Sequence, residues 1–316
     1  MSYGLPNDPP RDPHGPAYGQ SAGAPVCPRH GDRPSYVRCQ RCGRPACAEC
    51  QRPAPVGVQC VDCVREANRS APVARTAFGA RPTDGRPLVT YTMIALCVVT
   101  FLAQWAVPTL SNSLLWAGVY ILSEPWRMIT STFLHSQGFL MHIAFNMYAL
   151  WIIGRVLEPM LGRLRFALLY LLSGVGGSVA VLLLDHPLQG VVGASGAIFG
   201  LFGALLIVTR ARGGNFVPIL IIVGINLVIG FIPGFNVSWQ AHLGGLLTGA
   251  AVAAVVTLSV RRRPSADPEL SPVAAAAVRH RRRNTVQIAG FVAIALILVA
   301  LTWWGASTVP ERIYAL

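Results

Sequence analysis

Charge is scarce in this sequence: Asp, Glu, Lys and Arg together supply 12% of its 316 residues. A soluble domain carries about 25%, so an ordinary water-soluble fold is excluded. Acidic residues are the rarer sign, 13 against 26 basic, for a formal net charge of +13. The first 26 residues, MSYGLPNDPPRDPHGPAYGQSAGAPV, lack an apolar stretch, so no secretory signal is expected there. Their poverty in large apolar side chains predicts a disordered tail. No internal repeat is visible.

What is abundant is apolar: 53% of residues are hydrophobic and the mean hydropathy is +0.49. These residues cluster in runs of roughly 20, the length that crosses a bilayer. Spans are expected at about 88–107, 139–157, 164–184, 192–210, 216–233, 238–260 and 286–306. The chain reads as an all-α polytopic membrane protein. Its arginines fall in alternate loops. Arg81 and Arg86 precede the first span, and Arg155, Arg163 and Arg165 surround the turn between the second and third. Arg210 and Arg212 follow the fourth span, and Arg261, Arg262, Arg263, Arg279, Arg281, Arg282 and Arg283 separate the sixth from the seventh. The other loops hold little charge: Glu124 and Arg127, then Asp185, then none over 233–238. With positive loops inside, the N-terminus is cytoplasmic and the C-terminus external in a multi-pass protein of the cell membrane. The basic excess is thereby topological, and no nucleic-acid partner is expected.

Seven of the eight cysteines lie in residues 27–63, in the order Cys27-x2-His30, Cys39-x2-Cys42, Cys47-x2-Cys50 and Cys60-x2-Cys63. A two-residue gap lets one tight turn present both side chains to one metal, and eight such ligands suit two tetrahedral zinc ions. Disulfides are the competing reading. They fit poorly with a reducing cytoplasmic side and with a ligand set that is even only when His30 is counted. The spacing resembles B-box-type zinc fingers, in which pairs one and three share one ion and pairs two and four the other; sequential pairing stays open. A head this poor in apolar residues is expected to fold only with metal. Residues 64–87 read as a polar linker. Cys97, inside the first span, reads as ordinary packing.

Polar groups within spans tend to mark function. His142 lies near the start of the second span with Asn146 one turn later on the same face; Ser195 lies near the start of the fourth, and His242 early in the sixth. Spans two, four and six all run from outside to inside, so the three sites share one depth. A fourth span starting near Val191 puts Ser195 about 6 Å into its helix. A serine hydroxyl needs a positioned base to become a nucleophile, and His242 is the candidate base. The oxyanion formed on attack needs donors, which His142, Asn146 and the Ser195 amide offer. With no Asp or Glu in the fourth or sixth span, this is a dyad, not a triad. Phe199, one turn after Ser195, is placed to stack on the imidazole. Gly196 and Gly200 make a small-residue stripe on the fourth span, and Gly245 and Gly249 make one on the sixth. Facing each other, they bring the two helices close enough for serine and histidine to meet.

Residues 88–260 resemble the rhomboid family of intramembrane serine proteases. The resemblance is carried by Trp126-Arg127, His142-x3-Asn146, Glu158, Gly193-Ala194-Ser195-Gly196 and Ala241-His242-x2-Gly245-x3-Gly249. It implies a six-helix core with Ser195 as nucleophile, His242 as base, and His142, Asn146 and the serine amide as oxyanion hole. It also implies a water-filled cavity open to the outside and a first external loop, around Trp126, partly embedded in the outer leaflet. Substrates would be single transmembrane helices cut near their external end, where small or helix-breaking residues help unwinding. No cofactor is expected for cleavage. The seventh helix with its external tail (286–316), the basic loop 261–285 and the zinc head are additions to that core. The head is expected to dock a cytoplasmic partner or a substrate tail.

Three other functions compete. A non-catalytic relative that binds membrane clients would be expected to lose the serine or histidine, and this chain keeps both. A transporter calls for deeper polar residues and interrupted helices in matching halves. A zinc-dependent membrane protease calls for a His-Glu-x2-His helix, which is absent.

Overall fold

The computed structural model describes residues 24–70, 75–80, 85–230, 237–260 and 272–314. The expected tail (save residues 24–26) and the run Arg261–Arg263 lie outside these. The chain divides into two compact units, Met1–Pro72 and Val73–Leu316.

In the first unit, β1 (Val26–Cys27) pairs antiparallel with β2 (His30–Pro34), and β3 (Gln51–Pro53) with β4 (Val58–Cys60). Helix α1 (Val61–Ser70) follows, taking in residues that read as the start of the linker. Its buried cluster consists of six cysteines and Ala46. With no aliphatic core, hydrophobic burial alone holds little of this unit together.

The second unit is helical: α2 (Leu88–Ala106), the short α3 (Leu110–Leu114) and α4 (Arg127–Thr130), α5 (Leu140–Leu161), α6 (Arg163–Leu184), α7 (Ser195–Ala211), α8 (Val217–Ile229), α9 (Trp239–Ser259) and α10 (Pro272–Tyr314). Five of these are long and apolar enough to cross a membrane, while α7 and α8 are shorter apolar helices. Two expectations are corrected. The fourth span does not begin near Val191: Gly193 holds φ 129, Val191 bridges to Trp116, and α7 starts at Ser195 itself. A backbone in that region cannot continue a helix, so the serine opens the helix instead of lying within it. Residues 272–285 are also not a loop. They form the first turns of α10, which its 43 residues extend to about 65 Å. The alanine run 274–277 favours helix, and Pro272 suits its first position.

The end of α5 meets the start of α2. Glu158 near the end of α5 accepts the Val89 and Thr90 amides at the start of α2, at 2.9 and 2.8 Å, and the Thr90 hydroxyl at 2.8 Å. It is 1% exposed. Its charge satisfies two of the four amides a helix start leaves unpaired, at the positive end of the dipole. The core between α2, α5, α6, α7 and α9 includes Cys97, Leu150, Leu157, Phe166, Leu201 and Val252.

Helices α6, α7 and α9 meet on glycine. A Cβ at Gly245 would overlap the Gly196 carbonyl, and one at Gly249 the Gly200 carbonyl. The two predicted stripes face each other, with no room for a side chain. A third surface was visible in SGVGGS (173–178) but not anticipated: a Cβ at Gly177 would come within 2.9 Å of the Ala241 carbonyl oxygen, and one at Gly176 would overlap Thr248.

Candidate active site and metal centres

Ser195 is half-buried as the first residue of α7. Its amide has no acceptor within the helix and points back toward the 191–194 segment. His242 sits on the first turn of α9, 5% exposed. That turn is fixed by Ser238, whose hydroxyl accepts the Ala241 amide at 3.2 Å. Next to His242, the Ala241 carbonyl oxygen lies 3.3 Å from where a Cβ on Gly196 would stand. The backbones carrying serine and histidine are therefore in contact. The imidazole of His242 stacks on Phe199, with centroids 3.9 Å apart and planes at 10°. Its Nδ1 is buried with no hydrogen-bond partner among the described residues. Ring stacking thus holds this histidine where a carboxylate commonly would.

His142 lies on the first turn of α5 and faces the same place. A Cβ on Gly193 would stand 3.0 Å from its Nε2 and 3.8 Å from Ser195 Oγ. Glycine at 193 is therefore required twice, by φ and by this approach. The Ser136 amide donates to His142 Nδ1 at 3.2 Å. An imidazole accepting at Nδ1 carries its proton on Nε2 when neutral, so Nε2–H is a donor aimed at Gly193. Asn146, 8% exposed, donates one Nδ2 hydrogen to the His142 carbonyl at 2.7 Å and keeps the second.

Two supports were not anticipated. Gln104 of α2 accepts the His135 amide through Oε1 and donates to the His135 carbonyl through Nε2, both at 3.0 Å. It thereby pins the segment whose next amide fixes His142. A lone glutamine at the end of an apolar span was the available signal. Trp116, fully buried, donates from Nε1 to the Ser178 carbonyl at 3.0 Å and anchors the external loop. Trp126, by contrast, is 53% exposed. Its neighbour Arg127 is stapled by Glu124 and by the Asn112 carbonyl, with its guanidinium 4.0 Å from the Tyr120 ring centroid.

In the first unit, Cys27, His30, Cys47 and Cys50 form one group, and Cys39, Cys42, Cys60 and Cys63 form another. Within each, the ligand atoms lie within 4.8 Å of one another. This is the crossed pairing, one with three and two with four. His30 Nδ1 stands 3.3 and 3.4 Å from the Cys47 and Cys50 sulfurs, and its Nε2 3.9 Å from Glu49. A carboxylate behind a histidine is the usual outer support of a metal ligand. The amide of Cys47 holds the Cys27 thiol down to about 6, while burial pushes Cys50 up to about 11 and Cys63 up to about 12. Thiols this crowded cannot all ionise without a cation among them, so the donor set fits zinc.

The Rhomboid domain matches residues 122–259. The chain is 36% identical over 193 residues to Rhomboid protease GluP of Bacillus subtilis, covering 55% of this chain and 36% of that protein. It is 34% identical over 195 residues to RHOMBOID-like protein 6, mitochondrial, of Arabidopsis thaliana, covering 59% and 61%. It is 36% identical over 146 residues to the rhomboid YdcA of Bacillus subtilis, covering 44% of this chain and 71% of that one. The chain thus spans less than two thirds of the first two relatives, and the Rhomboid domain match falls in the helical unit.

Proposed function

The chain belongs to the rhomboid family, and on that footing we propose that it is an intramembrane serine endopeptidase cutting transmembrane helices near the external face of the bilayer. The observation that carries this reading is the His242 ring stacked on Phe199, one turn from Ser195, on two helices joined through glycine.

In this mechanism Ser195 Oγ attacks the scissile carbonyl carbon while its proton passes to His242. The carbonyl π pair moves to oxygen, where the Ser195 amide, His142 Nε2–H and the free Asn146 hydrogen receive the charge. Collapse breaks the C–N bond, the leaving amine takes the proton from His242, and the acyl group stays on Ser195. Water then repeats the sequence, returning serine and releasing the carboxylate. The N-terminus is cytoplasmic, the C-terminus external, and substrates are single-span membrane proteins. Two structural zinc ions are held by Cys27, His30, Cys47 and Cys50, and by Cys39, Cys42, Cys60 and Cys63. When bound, zinc supplies the cohesion this unit's small core lacks. The head docks a cytoplasmic partner or a substrate's cytoplasmic tail.

A fluorophosphonate probe tests the dyad on purified full-length protein. The wild type labels, while Ser195→Ala and His242→Ala do not. Labelling that survives Ser195→Ala means another nucleophile. A folded wild type that never labels moves the assignment to a non-catalytic client-binding relative.

A further inference from the structure

Three guanidinium groups converge at the arginine-rich end of the helical unit. Arg75 donates through Nη1 to the Gly79 carbonyl at 3.2 Å, and Arg283 donates through Nη2 to that same oxygen at 3.1 Å. Two cations thus share one neutral acceptor. A Cβ on Gly79, at φ 83, would overlap the Arg283 guanidinium, so that group lies against the turn. Arg165 joins them through Gln287, one turn after Arg283 on α10, donating from Nε at 2.7 Å.

None of the three forms an ion pair among the described residues. The Nε of Arg283 is buried with no acceptor among them. Their charges repel one another. Arginines at an inner membrane face ordinarily reach into water and need no ligand, and the Leu161 carbonyl at the end of α5 accounts for part of Arg165. Neither point accounts for two cations on one carbonyl or for a buried donor left unused. A phosphate does, because its oxygens match the guanidinium fork.

The source of that phosphate follows from what flanks the cluster. Leu164, beside Arg165, is 73% exposed, and Ile288, beside Gln287, is 63% exposed. Apolar side chains facing outward next to a cationic cluster suit a headgroup whose acyl chains continue along the helices. We propose that Arg75, Arg165 and Arg283 bind the phosphate of an anionic phospholipid, which ties the 75–80 turn and α10 to the helical core. The site is independent of whether Ser195 is catalytic.

The test uses the full chain in detergent, titrated with phosphatidylglycerol, phosphatidylcholine or inorganic phosphate. Retained lipid is read by native mass spectrometry and the unfolding midpoint by heating. Phosphatidylglycerol is expected to bind and to raise the midpoint. Arg75→Gln/Arg283→Gln should weaken it about a hundredfold, roughly tenfold for each of the two charge-assisted hydrogen bonds lost. Arg281→Gln/Arg282→Gln removes equal charge from exposed positions of the same helix and should leave binding near wild type. Equal weakening by both pairs would reduce the effect to general surface charge and overturn the proposal, as would equal binding of the two lipids. Inorganic phosphate raising the midpoint as far as phosphatidylglycerol would make the ligand a free anion and overturn the lipid assignment. If the first pair does not fold, Arg75→Gln alone decides: undiminished phosphatidylglycerol binding overturns the proposal.

Discussion

In the proposed dyad, stacking and hydrogen bonding do at single residues what a third group does in a triad. Phe199 holds His242 face to face at 3.9 Å, and such a pair is worth about 1 kcal/mol beyond its buried area. Phe199→Leu keeps an apolar but smaller side chain and loses the stacking, so fluorophosphonate labelling should slow about fivefold, with only a modest fall in the unfolding midpoint. An unchanged labelling rate would assign the ring to packing alone. Glu158 acts on structure. It satisfies three donors at the start of α2, so Glu158→Gln should destabilise the protein by about 2 kcal/mol, read by thermal unfolding in detergent.

Among whole helices, the consequence of a side chain at glycine depends on what faces it. Gly245→Val would drive a side chain into the Gly196 carbonyl, and overpacking of this kind costs about 1–3 kcal/mol or more. Both the unfolding midpoint and labelling of Ser195 should fall together, because the same contact sets the spacing of α7 and α9. Gly224 on α8 is the contrast, with nothing within 4 Å of its missing Cβ. Gly224→Ala should stabilise by about 0.5–1 kcal/mol, the usual gain for alanine in a helix interior. A loss there would mean that something packs on this exposed face of α8.

Across the whole molecule, two units with different sources of cohesion should come apart under different treatments. The first has a buried cluster of cysteines and one alanine, the second an apolar core. A chelator that strips the proposed zinc ions should expose residues 24–70 to trypsin while leaving the unfolding midpoint of the helical unit in place. A matching fall in that midpoint would show one cooperative unit instead. Deleting residues 1–72 should preserve labelling of Ser195, because the 75–80 turn that packs on the core through Phe78 and Thr76 is kept. Unchanged cleavage of every native substrate by that variant would overturn the proposed recruitment role of the head.

Much of this was legible in the sequence because its physics is local or periodic. Run lengths marked the apolar helices, two-residue Cys spacing set the ligand pairs, and one-turn spacing put Phe199 beside Ser195. What the sequence left open depended on groups far apart in the chain. The crossed pairing of the cysteines was left undecided because equal spacings carry no pairing information. The start of α7 was misplaced because apolarity continues through Val191 and Val192, whereas the positive φ at Gly193 and the bridge to Trp116 end the helix. The role of Ser136 was invisible, since a backbone amide carries no residue signature, and Gln104 stood out in its apolar span without naming its partner. Sequence alone determined which residue types were available and how they repeat; only the tertiary structure decided which of them meet, because close packing is a property of surfaces brought together from distant parts of the chain.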